Sequence, residues 1–152
     1  MIWRMEKVSL SHSDTLRHIA NDILAPIYGP QEKAFNEWFD LKSNKRAFVS
    51  INENSTVCGL LSMKIEDKKS YLKIATLLVL DGYEGFGCAT FMLKFAIDYA
   101  LSLGYEELKV TVSETKPKSI EFFKKHDFKL IETQVGKYTP GISEYIFMRR
   151  MS

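Results

Sequence analysis

The chain has 152 residues, 45% of them hydrophobic, with 21 Lys and Arg against 19 Asp and Glu for a formal net charge of +2. That length and composition suit one domain, 1–152, around one real core, and so balanced a charge lacks the dense basic stripe of a nucleic-acid binder. Two cysteines without CxxC spacing, Cys58 and Cys88, and no clustered histidines argue against a metal site or a disulfide framework and suit a reduced cytoplasm. The N-terminal Met1-Ile2-Trp3-Arg4-Met5-Glu6 has no apolar stretch behind a basic start, and no segment approaches about 18 uninterrupted apolar residues, so no membrane role is expected.

Ile2 to Val8 alternates apolar and polar residues as a half-buried strand does, and Ser9 to Ser13 is a polar turn able to cap a helix. Leu16, Ile19, Ala20, Ile23 and Leu24 share one helical face, predicting a helix that ends before Pro26. Gly and Pro in Ile27-Tyr28-Gly29-Pro30 predict a loop, and Glu32 to Phe39 a second short helix with Phe35, Trp38 and Phe39 on one side.

Strands come next at Ala47 to Ile51, Val57 to Ile65 and Tyr71 to Leu80, joined by polar turns as in an antiparallel meander. A helix from about Gly87 to Leu103 sets Met92, Phe95, Ala96, Tyr99, Ala100 and Leu103 on one face and stops near Gly104. Glu107 to Val112 reads as a strand, and Pro117 to His126 as a helix with proline at a permitted first-turn position. Phe128 to Val135 and about Glu144 to Arg150 read as the last strands. The order is βααβββαβαββ, an α/β class.

The most informative stretch is Leu77 to Thr90. Leu77-Leu78-Val79-Leu80 is a strand end buried on both faces; Asp81-Gly82-Tyr83-Glu84-Gly85-Phe86-Gly87 is a glycine-rich turn; Cys88-Ala89-Thr90 opens a helix. Such a junction aims backbone N–H groups and the positive end of a helix dipole at one point, which suits a phosphate.

With these elements, the chain resembles the GNAT superfamily of acyl-CoA-dependent N-acyltransferases. Family members carry Arg/Gln-x-x-Gly-x-Gly/Ala at this junction, and Glu84-Gly85-Phe86-Gly87-Cys88-Ala89 fits it at Gly87 and Ala89. The family's Asn-x-x-Ala-Ile-x-Leu-Tyr, followed by a spacer and Gly-Phe, is echoed by Lys116-Pro117-Lys118-Ser119-Ile120-Glu121-Phe122-Phe123 and then Asp127-Phe128. The resemblance implies a mainly antiparallel sheet of six or seven strands, splayed between the fourth and fifth, with helices on both faces. It implies acetyl-CoA as cosubstrate and no metal. The amides of Glu84 to Thr90 would hold the pyrophosphate, the backbone of Leu78 and Val79 would lie beside the thioester, and Lys116, Ser119 and Phe123 would line the cofactor.

Four residues depart from the family pattern. Glu84 sets a carboxylate where phosphates are expected, Phe123 replaces a tyrosine that protonates the departing thiolate, and a phenyl ring donates no proton. Lys116 replaces the asparagine and Asp127 the glycine. Acid and base work therefore points to groups near the forked strand ends: Ser113, Glu114 and Tyr138, with Tyr138 in the loop between the last two strands standing in for the tyrosine. His126 reads as a solvated helix cap or a base, and Cys88 as a packing residue or a thiol activated at a helix N-terminus. Lys116, Lys118, Lys124 and Lys125 are a wet helix face or a partner for the 3′-phosphate.

Tyr28, Gln31, Glu32 and Trp38, around the early helices, are candidates for acceptor binding, Trp38 also fitting the core. The expected reaction is transfer of an acetyl group to a primary amine, of a small molecule or a peptide, by direct attack in a ternary complex. The alternatives are a non-catalytic module that binds CoA or a protein, and an acyltransferase acting on a macromolecule such as a ribosomal protein or charged tRNA. The resemblance also implies a homodimer through the C-terminal strands.

Overall fold

The computed structural model describes residues 1–151. Seven strands form one sheet: β1 (Arg4–Lys7), β2 (Lys45–Ile51), β3 (Val57–Lys64), β4 (Tyr71–Val79), β5 (Glu107–Ser113), β6 (Lys129–Val135) and β7 (Ser143–Arg150), in the spatial order β1-β2-β3-β4-β5-β7-β6. The helices are α1 (Ser13–His18), α2 (Ala25–Tyr28), α3 (Glu32–Phe39), α4 (Cys88–Ser102) and α5 (Pro117–Lys125). The expected element order and sheet are both found.

Every neighbouring pair is antiparallel except β4 and β5, which run parallel and pair only over Tyr71–Ile74 and Glu107–Val110. Beyond Ile74 the two strands part, and they do so at a bulge. Ser62 and Met63 of β3 face Thr76 and Ile74, leaving Ala75 as the extra residue. A bulge bends its strand and strengthens its twist, so β4 swings away from β5 and opens a wedge between their C-terminal halves.

The two sheet faces carry separate cores. Leu61, Met63, Leu72, Ile74, Leu108, Val110 and Phe147 pack against α4 and α5 through Met92, Leu93, Ala96 and Phe123. On the opposite face Val49, Ile51 and Leu60 pack against Leu16, Ile19, Ala20, Phe35 and Trp38 of the early helices. Central β3 contributes to both, and its six middle residues are all buried. Gly59 in this strand is required by close approach: a Cβ there would lie 2.7 Å from the Leu78 carbonyl oxygen and 2.8 Å from Met92 Cε.

One expectation is corrected. The first helix does not end before Pro26, and Ile27-Tyr28 is not loop. Residues Ile19–Leu24 form a π-helical segment that leads directly into α2, where Pro26 occupies the first turn. The Ala25 amide donates to the Ala20 carbonyl five residues back. This wider turn restarts the helix at Ala25, so the proline sits where a missing N–H costs little.

Candidate active site

The β4–α4 junction is built almost wholly from main chain. The Leu80 amide donates to the Cys58 carbonyl at 2.8 Å, and because successive strand residues point to opposite edges, the Val79 amide points the other way, into the wedge. The chain then turns through Gly82, Gly85 and Gly87 with φ of 90°, 83° and 85°. In α4 the first helical bond runs from the Phe91 amide to the Gly87 carbonyl at 2.9 Å, which leaves the amides of Cys88, Ala89 and Thr90 without helical acceptors. A Cβ added at Gly85 or Gly87 would meet no protein atom within 4 Å, so the space before the loop is open. Glu84 is exposed. The Trp3 indole N–H donates to the Phe86 carbonyl at 3.3 Å and ties the turn to the N-terminal strand region.

A second feature lies on the sheet face that carries the early helices. A cleft of about 220 Å³ is lined by Pro26 and Ile27 of α2, Ser113 and Thr115 at the end of β5, Thr139 and Ile142 of the β6–β7 loop, and Glu144. Tyr28 and Tyr138, the chain neighbours of its lining residues Ile27 and Thr139, meet edge to face, ring centroids 5.4 Å apart, so α2 and the loop touch. Ser113 faces Glu144 across the β5–β7 ladder. Glu144 is only 2% exposed, and its Oε1 has no hydrogen-bond partner among the described residues. Burial raises its carboxyl above the usual carboxylate range; the Ser113 hydroxyl and Lys137 pull it down, and Glu114 adds to the rise. Burial also raises the Tyr28 phenol, with help from Glu144 and Tyr138. A buried carboxylate oxygen without a donor is costly unless something supplies one.

The sequence model of the acetyltransferase (GNAT) family matches residues 13–128. The chain belongs to that family. It is a GNAT-type N-acetyltransferase, and its fold is shared with solved members of low sequence identity. Arabidopsis thaliana NAA60, in complex with a bisubstrate analogue, superposes with a TM-score of 0.84 at 18% identity over 98% of each chain. Mutant forms of the spermidine/spermine N-acetyltransferase SpeG from Vibrio cholerae give 0.81 at 14% identity, covering 99% of this chain and 95% of that one. Nourseothricin acetyltransferase gives 0.67 at 17%, over 72% of this chain and 66% of its own. No curated protein sequence matches the chain.

In this acetyltransferase the sequence-derived candidates separate into those at the β4–α4 junction, those at the cleft and those elsewhere. Val79 and the segment from Glu84 to Thr90 lie at the β4–α4 junction, while the Leu78 side chain packs toward the early helices. Cys88 is buried with its Sγ 3.1 Å from Ser50 Oγ, and burial pushes its thiol up, against the activated reading. Phe123 is buried, ring centroids 5.2 Å from Phe122 and 5.1 Å from Phe128. Lys116, at the start of α5, is exposed and Ser119 half-buried. Asp127, where the family has glycine, has φ of 69°. Its amide and that of Phe128 bond to the Lys124 and Phe123 carbonyls at 3.2 and 3.0 Å, a helix stop of the kind glycine usually makes.

Ser113 lines the cleft, and Tyr28 and Tyr138, in contact with each other, each adjoin one of its lining residues, although the three lie far apart in the chain. Glu114 instead clamps the sheet: its Oε1 accepts from the Ser143 amide at 3.0 Å, and its own amide donates to the Ser143 carbonyl at 2.9 Å. Trp38 belongs to the core rather than the cleft, Glu32 is exposed in the first turn of α3, and the Gln31 side-chain amide donates to the Gly29 carbonyl at 3.0 Å. His126 is the C-cap residue of α5 and is half-buried: its ring packs 4.5 Å from Phe122, its Nε2 lies 3.4 Å from Thr90 Oγ1, and burial, then Lys125 and Arg149, lower its pKa. Glu144 escapes the sequence reading. Its one sequence signal is a glutamate in alternation with Ile146 and Met148.

Proposed function

We propose that this acetyltransferase moves the acetyl group of acetyl-CoA to a primary amine seated in the Glu144 cleft. The observation that carries the reading is a pairing of complementary gaps: an amide donor aimed into the β4–β5 wedge and a partnerless buried carboxylate oxygen beside the neighbouring strand end. Acetyl-CoA, when bound, supplies the thioester carbonyl that the amine attacks. The glycine turn and the first-turn amides of α4 suit its phosphates, exposed Glu84 leaves the cradle open, and the Val79 N–H stabilises negative charge on the carbonyl oxygen.

Glu144 has two tasks. Its carboxylate draws in an ammonium, and its raised pKa makes it a better proton acceptor than an ordinary glutamate, so the amine becomes nucleophilic in place. Phe123 cannot return a proton to the departing sulfur. The Tyr138 hydroxyl, on the loop over the cleft, is the group we assign to that task.

Calorimetry and melting at millimolar acetyl-CoA test the first half. Heat of binding and a rise in melting temperature are expected, since a ligand at about a hundred times its Kd stabilises by about 2.7 kcal/mol. No heat and an unchanged melting temperature would remove the enzyme's donor and the proposal with it.

A further inference from the structure

The face that holds the cleft also holds a row of lysines. Lys45 of β2 pairs in register with Lys64 of β3, Lys64 with Lys73 of β4, and Lys73 with Lys109 of β5. Directly paired residues project from the same face of a sheet, so four like charges stand side by side across four strands. The face is that of the early helices, because Leu72, Ile74, Leu108 and Val110, which alternate with these lysines, fill the core under α4 and α5. Like charges directly opposite one another destabilise a sheet, and such an arrangement calls for counter-charge.

Part of that counter-charge is internal. Lys64 pairs with Glu66 at 3.5 Å, and Lys45 feels Glu37 and Glu66. Among the described residues, Lys73, Lys109 and Lys137 have no carboxylate within 4 Å. Glu107, two residues before Lys109, accepts instead from the Ser70 hydroxyl at 3.1 Å. Half-buried Lys73 shows the strain: burial, then Lys137, Lys109, Lys45 and Lys64, pull its pKa down to about 8. Lys137, from the β6–β7 loop, lies close enough to influence both Lys73 and Glu144. Between these poles sits Thr111, two residues from Ser113 and two from Lys109 along β5, and its buried Oγ1 has no partner either.

We propose that the acceptor is an amine whose chain carries carboxylate or phosphate groups, with the nitrogen at Glu144 and the anion on Lys73, Lys109 and Lys137. This rests on the acetyl-transfer reading. From Ser113, opposite Glu144, to Lys109 is four residues of strand, about 13 Å. An extended peptide would present its third to fifth side chains to the lysines, and a linear aminoalkyl phosphonate of similar length would present its end group. A polyamine would meet repulsion there.

The test is acetyl transfer from acetyl-CoA to three pentapeptides that differ only at positions three to five, carrying acidic, amide or lysine side chains, and to the aminoalkyl phosphonate. The acidic peptide should exceed the amide one in kcat/KM by about tenfold, as one or two charge-assisted contacts imply, with the lysine peptide poorest and the advantage shrinking with salt. Lys73→Gln combined with Lys109→Gln should bring the acidic-to-amide ratio near unity, whereas Lys94→Gln, on an exposed position of α4, should leave it alone. Activity with the phosphonate and not the acidic peptide would mark a small anionic acceptor; the reverse would mark a peptide. Equal or better use of the amide or lysine peptide, or a ratio unmoved in the double variant, overturns the proposal. An acidic peptide with a blocked N-terminus, titrated without acetyl-CoA, separates the two readings. If it binds the wild type and not the double variant while no amine is acetylated, the anion site stands and the transfer reading falls.

Discussion

The two faces of the central sheet solve opposite problems. Beneath α4 and α5 the face is mostly apolar, with Ser50 and Arg149 as polar exceptions, and the chemistry proposed for it sits at its rim in backbone amides that no side chain determines. Beneath the early helices the core covers only part of the sheet, and the rest presents Ser113, Thr111, Glu144 and lysines, with the Glu144 and Thr111 oxygens buried and unpartnered. A donor common to many enzymes can be held by conformation alone; an acceptor particular to one enzyme has to be read by side chains. Under the proposed function the difference assigns specificity to groups drawn from α2, β4, β5, β7 and the β6–β7 loop.

The sharpest way to break this division is Glu144→Gln. Turnover should fall by about 10³-fold with acetyl-CoA binding retained, and the rise of rate with pH, set above the usual carboxylate range by burial, should vanish. Undiminished turnover in this variant would refute the division. The same variant has a stability signature. Because the folded carboxyl binds its proton more tightly than the unfolded one, its contribution to stability is present at low pH and lost as pH rises through the folded pKa. The glutamine form should therefore melt higher than the wild type at neutral pH, and the gap should close toward pH 4, as scanning calorimetry would show.

Tyr138→Phe comes next: a loss of about 10²-fold in kcat with unchanged acetyl-CoA affinity, whereas an unchanged kcat takes Tyr138 out of the mechanism. Gly59→Ala probes the seam between the two faces. Its Cβ would press on the Leu78 carbonyl, Met92 and Ser50, so a loss of about 1–3 kcal/mol in denaturant melts is expected. The smallest effect is Asp127→Gly, which relieves a left-handed residue at the end of α5 and should add about 0.5 kcal/mol, less than the full left-handed penalty because glycine also loosens the unfolded chain. No change in catalysis is expected, since Asp127 lies outside both half-sites.

Legibility in the sequence obeys the same division. The donor turn is contiguous, so Leu77 to Thr90 could be read residue by residue. The element order was equally open to periodicity, except at Pro26, where a π turn lets a helix absorb a residue that periodicity treats as a stop. Glu144 was hidden because Ser143-Glu144-Tyr145-Ile146 reads as the edge of an ordinary half-buried strand; only the pairing of β7 with β5 puts Glu144 beside Ser113. The lysine row needs four strands in register before it exists at all.

The bulge at Ala75 has one more effect. Along β4 the odd-numbered Tyr71 and Lys73 face the early helices while Leu72 and Ile74 face α4; past Ala75 the even-numbered Leu78 faces the early helices and Leu77 and Val79 the other side. One extra residue reverses the parity of the strand. Without Ala75 the pairs Met63–Ile74 and Ser62–Thr76 would be successive, so Leu77, Leu78 and Val79 would keep their partners and their faces, and what would be lost is the bend that parts β4 from β5. A single strand thus offers charge where it is paired with β5 and a free main-chain amide where it has bent away from it.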